Sequence, residues 1–212
     1  MADQQPVLQT LVGVQAAVDG ASPALRLGNL GDLLTNILGP QSELGRRGIA
    51  YHAQTAATGV APGTAIGTTA AFCLANPSGS GKDVVVILAG MGYVSGTLGA
   101  GNIAWVAHDS PTQAAITGTA ITPVCSRLGG SAPSAVAYTT ATVPASGKPC
   151  RVFASLGASL ASTATQPWQV VDEVMGAIVL RPGTAISLQG TTAAGSSPVV
   201  VFSVMWAEVT SL

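Results

Sequence analysis

Proton transfer and metal binding near neutral pH draw most often on histidine, and the chain has two, His52 and His108. A hydrolytic triad needs a nucleophile, a histidine and a carboxylate in mutual reach. His108 is followed by Asp109, and neighbouring side chains of a strand point to opposite faces, so this pair diverges. Asp172 and Glu173 diverge for the same reason, and His52 lies on the opposite face from Tyr51. Neither histidine stands beside a nucleophile motif. The three cysteines, Cys73, Cys125 and Cys150, are far apart and form no CxxC pair. That spacing argues against zinc or a disulfide framework and predicts buried thiols acting as small hydrophobes. These residues predict no catalytic centre, no metal site and no cofactor.

Two glycine-rich stretches look like phosphate-binding loops and fail on chemistry. Gly90-Met-Gly92 follows an apolar strand, but a dinucleotide loop must open a helix, and Val94 to Gly101 is too rich in glycine to make one. Gly79-Ser-Gly-Lys82 ends like a phosphate loop, but Asn76 stands where glycine is needed and Asp83 where a hydroxyl should hold magnesium. Asn76-Pro-Ser78 has proline in the middle and is no glycosylation signal. Of the three tryptophans, Trp105 and Trp206 fall on apolar strand faces and predict packing. Trp168, after Gln166-Pro167 at a loop edge, is the one candidate for an exposed sugar platform.

Charge narrows the function classes further. Eight Lys and Arg stand against nine Asp and Glu in 212 residues, 8% charged where about 25% is usual. No basic surface is available for phosphates, so nucleic acid is not an expected partner. A near-neutral chain repels its own copies weakly, which favours self-association. The alternative is a Ser/Thr/Gly-rich monomer. The N-terminal residues Met1 to Pro6 lack the basic region of a secretory signal, and the longest apolar run, Val84 to Gly92, is too short to span a bilayer. A protein made in a cytosol, with no membrane embedding, is the expectation.

The stretch from Trp168 to Val209 organises the elements. It holds three apolar segments closed by turn residues, among them Arg181-Pro-Gly183. In the last, Val200, Phe202, Val204 and Trp206 share one strand face, and Val199, Val201, Met205 and Val209 share the other. A strand apolar on both faces needs its own core and a second apolar neighbour. The rest of the chain is expected to pair with this sheet.

Residues 1–46 read differently. Leu27, Leu30, Leu33, Leu34, Ile37 and Leu38 recur at helical spacing before Gly39-Pro40, and a weaker helical pattern precedes them. This segment predicts an N-terminal arm with one or two short helices, either plugging the core or docking on a neighbouring subunit. Residues 47–212 read as β throughout. A run from Asp83 to Val94, a Gly-rich reversal and Ile103 to Ala107 predict a hairpin. Further strands are expected near 115–125, 135–143 and 150–156. Eight to ten short strands without intervening helices predict an all-β antiparallel sandwich of jelly-roll type.

The segments Val179 to Gly190 and Val199 to Glu208 resemble the closing strands of structural proteins from tailed bacteriophages, in the style of capsid decoration (cement) subunits. Leu30-Gly-Asp-Leu33, Ala50-Tyr-His-Ala53 and Asn76-Pro77 before a valine-rich strand are similar to the same group. The resemblance implies a jelly-roll sandwich in the virion, assembled as a homo-oligomer, often a trimer, and attached to the major capsid or another virion protein. It implies no catalytic residues. The helical arm is then the expected subunit contact. A receptor- or glycan-binding module of a fibre, spike or tail, working through Trp168, is the alternative.

Overall fold

The computed structural model describes residues 40–109, 115–156, 169–191 and 195–211. It opens with one helix, α1 (Pro40–Arg47). Proline suits the first helical position, where its missing N–H costs nothing, and Arg46 and Arg47 in the last turn oppose the dipole. The helix expected over Leu27–Leu38 lies outside the described residues; α1 is a separate segment whose polar sequence carries no apolar period to reveal it.

Eleven strands follow among the described residues: β1 (Ala50–Gln54), β2 (Thr69–Ala75), β3 (Lys82–Leu98), β4 (Gly101–His108), β5 (Thr117–Ile121), β6 (Val124–Cys125), β7 (Val136–Thr142), β8 (Lys148–Leu156), β9 (Gln169–Leu180), β10 (Ala185–Gly190) and β11 (Gly195–Thr210). They form two antiparallel sheets, a five-stranded one in the order β6-β1-β11-β3-β9 and a six-stranded one in the order β5-β7-β2-β10-β4-β8. Set β5, β6 and β7 aside as an insertion between β4 and β8, and eight strands remain. The first, eighth, third and sixth of them make one sheet in that order, and the second, seventh, fourth and fifth make the other. That order is the double Greek key of a jelly roll, the architecture the strand pattern predicted.

Two expectations about pairing are corrected. β3 and β4 are not a hairpin: β3 pairs with β11 and β9, whereas β4 pairs with β10 and β8. The short Gly-rich link carries the chain from one sheet to the other, and Leu98, Ile103 and Trp105 all point into the core from its two sides. Nor do the three C-terminal segments share one sheet, since β9 and β11 flank β3 while β10 lies between β2 and β4. Each has a core face, and two facing sheets satisfy those faces as well as one.

The core fills the space between the sheets. Val200, Phe202, Val204 and Trp206 point into it from β11, Phe72 and Leu74 from β2, and Trp105 from β4, none more than 1% exposed. Burying each such large side chain contributes roughly 1.5–3 kcal/mol. Phe153 of β8 meets Trp105 edge-on at 6.0 Å and Phe202 of the opposite sheet at 6.2 Å, tying the layers together.

The insertion makes the two outer faces unlike. β7 extends the six-stranded sheet beyond β2, and the chain must then return across β2, β10 and β4 to reach β8. The return carries Val143 into a second apolar cluster with Ala70, Cys73, Ala75 and Ala185, on the side of β2 away from Phe72 and Leu74. A methyl added to Gly147 would collide with Val106 and His108 on the outer side of β4. The six-stranded sheet is therefore buried on both sides there. Among the described residues of the insertion, none gives the five-stranded sheet such a cover.

Candidate functional site

The chemistry-bearing residues separate as strand alternation requires. His108 is 3% exposed, and its Nε2 lies 2.8 Å from the Ser187 hydroxyl, to which the Gln189 amide donates at 3.0 Å. Burial lowers the imidazole pKa, partly offset by a hydrogen bond to the Ala145 backbone and by the Asp109 charge. A serine–histidine contact exists, but both members are interior, and Asp109 turns outward to Lys148 at 2.7 Å. His52 faces out from β1, its Nε2 2.8 Å from the Ser126 hydroxyl, and burial lowers its pKa too. Among the described residues no group of three His, Cys, Asp or Glu side chains converges as metal ligands would.

Asp172 and Glu173 diverge to different fates. The Asp172 carboxylate turns toward the open side of the sandwich between β8 and β9. It accepts from Arg151 at 2.7 and 3.0 Å and from the indole Nε1–H of Trp105 at 2.8 Å. Burial works against its charge, yet the Arg151 and Trp105 hydrogen bonds and the Arg151 charge prevail and hold the pKa below the usual carboxylate range. This cluster closes the edge where the two sheets part. Glu173 stays exposed and pairs with no cation among the described residues.

Glu208, on the core side of β11, is 3% exposed and accepts from the backbone N–H groups of Ser134 and Ala135 at 3.0 and 2.8 Å and from Lys82 at 3.1 Å. Desolvation raises its pKa, but these donors outweigh it and the net shift is downward. It anchors the stretch between β6 and β7. Nothing in the local sequence marks it, since its donors lie more than seventy residues away.

The cysteines divide. Cys73 and Cys125 are buried as expected, and burial pushes the Cys73 thiol up to about 12. Cys150 is exposed, contrary to expectation, because β8 is an edge strand whose first residues are covered by none of the described residues. Trp105 and Trp206 are fully buried, as their apolar faces predicted. Trp168 and the arm residues Leu27, Leu30, Leu33, Leu34, Ile37 and Leu38 lie outside the described residues.

The remaining candidate is a surface. On the outer face of the five-stranded sheet, Leu88, Val201 and Met205 are partly exposed, and the edge strand β9 adds Val171, Met175 and Val179 at 48, 60 and 50% exposure. Met175 and Gly176 both take left-handed backbone conformations, φ 51° and 83°. Between Glu173, opposite Leu88, and Ile178, opposite Val86, β9 bulges, and Met175 stands out from the edge. α1 reaches over this face, the Gln41 amide donating to Met175 Sδ at 3.7 Å. By contrast a groove of about 520 Å³ beside Thr64, Thr69 and Thr140 is lined by no titratable side chain among the described residues.

Comparisons with protein-family models, with curated proteins and with solved structures return no match.

Proposed function

We propose that the chain is a non-enzymatic structural subunit that self-associates, of the capsid-decoration kind found on phage heads, at work in the virion and attached to the major capsid or another virion protein. The observation that carries this reading is the difference between the two outer faces. Among the described residues the insertion covers the outer side of β2, β10 and β4, whereas the five-stranded sheet, reached by α1, keeps partly exposed apolar side chains and an exposed apolar β9 edge. Large exposed apolar surfaces are costly to keep in water and ordinarily mark an interface. The jelly roll is a recurrent building unit of viral coats, which adds support from architecture alone. Low net charge lets copies approach without repulsion. A stable contact buries roughly 800 Å² on each partner, and many copies on a shell add avidity to a modest one.

Two measurements test the reading. Sedimentation of the purified full chain at micromolar concentration is expected to give an oligomer, with a trimer favoured; a stable monomer would sink the self-association. Mass spectrometry of purified particles is expected to find the chain at a fixed copy number per capsid, and its absence from complete particles would remove the virion assignment.

A further inference from the structure

Charged groups are scarce enough here to be followed individually. Among the described residues Lys82, Lys148 and Arg151 are each held by a carboxylate, and Arg46, Arg47, Arg127 and Arg181 are not. Three of these four gather at one edge of the five-stranded sheet. Arg46 and Arg47 end α1, and Arg127 follows β6. Arg47 and Arg127 line one cavity of about 370 Å³ with Gly129, Gly130 and Ser131, and among the described residues no carboxylate lines it. Leu128 stands at its rim, 83% exposed.

The opposite edge of the same sheet carries the complement. Glu173 is exposed on β9, between the exposed side chains of Val171 and Met175. The ladder runs level from one edge to the other: Val124 pairs with His52, His52 with Met205, Met205 with Leu88, and Leu88 with Glu173. Four strand spacings, about 19 Å, separate the edges. A cationic edge with an exposed leucine and an acidic edge with an exposed valine and methionine thus lie on opposite sides of one sheet, the arginines displaced along the strands from the level of Glu173 toward that of Val179.

We propose that the β6 edge of one copy packs against the β9 edge of the next, with Arg47 and Arg127 around Glu173 and Leu128 against Val171 and Met175. The occupant is a second copy because this chain itself supplies both halves of the contact. The contact is head-to-tail, so repetition closes a ring or extends a chain of subunits. The apolar residues supply affinity; the charges, worth little as an exposed pair, select the register and reject the wrong one. The proposal rests on the self-association reading above and names its interface.

Charge reversal tests it on the full chain by sedimentation velocity, with circular dichroism and thermal unfolding confirming that each variant is folded. Arg127→Glu and Glu173→Arg are each expected to weaken association by about tenfold or more, because like charges then meet. The double variant, which restores opposite charges, is expected to recover it. Leu128→Asp is expected to dissociate the oligomer without loss of thermal stability. A wild-type oligomer indifferent to both reversals would overturn this contact and leave the self-associating subunit standing. A wild-type monomer would overturn both.

Discussion

At the scale of single residues, Asp172 is the side chain whose loss should be felt most. It answers two donors from the other sheet at once, the Arg151 guanidinium and the indole of Trp105. Asp172→Ala leaves a buried indole N–H without an acceptor and is expected to cost about 2–3 kcal/mol in denaturant unfolding. Asp172→Asn keeps one acceptor and is expected to cost less. The acid side of the stability profile follows from the same groups. Asp172 and Glu208 have lowered pKa values in the folded protein, so their stabilisation is complete above about pH 4, the unfolded carboxylate range, and is lost as pH falls through the folded values. His52 and His108 are lowered too, so stability is expected to begin falling below about pH 6.5 as the unfolded chain takes up protons first. Thermal melts across pH check both steps, and Glu208→Gln should flatten the lower one. The divergence of His108 from Asp109 was legible in the sequence, because period two needs only a strand. The exposure of Cys150 was not, because it depends on which strand ends up at an edge.

Individual elements respond through their anchors. Glu208→Ala removes the acceptor for two backbone N–H groups and for Lys82, and is expected to cost about 3 kcal/mol. Hydrogen exchange should accelerate first at Ser134 and Ala135, ahead of the central strands. The β9 bulge predicts the opposite combination. Met175 holds a left-handed backbone that costs a non-glycine residue about 1–2 kcal/mol. Met175→Gly relieves that strain at some cost in chain entropy, so unfolding stability should hold or rise by up to about 1 kcal/mol, while sedimentation shows weaker association. Loss of both together would mean that Met175 serves the fold alone. Strand positions were legible from alternation and turn residues, Phe72 and Leu74 before Asn76-Pro77 being one instance. Partner choice was not. Asp83 to Val94 and Ile103 to Ala107 look like a hairpin locally, and only the remote strands β11 and β10 decide that they part.

Across the whole molecule, the sandwich could be read from the count of short strands, and the two-sided apolar pattern of β11 foretold a second surface beyond the core. That this surface belongs to the five-stranded sheet could not be read, because the covering of the other sheet comes from an insertion whose route is tertiary. The arginine edge has a sequence signal only in hindsight. Arg46-Arg47 and Arg127 are eighty residues apart, and the β1–β6 pairing brings them to one place.

The position of β11 bears on how such a protein is made. β11 lies in the middle of its sheet, paired on one side with β1 roughly 150 residues earlier. A nascent chain that has not yet reached β11 holds an apolar slot between β1 and β3 with nothing in it. Contacts of such long sequence separation form slowly. During that interval the β11 strand of a neighbouring chain fits the slot as well as the chain's own, so synthesis on crowded polysomes invites strand exchange, and newly made copies can be interlocked as they are released.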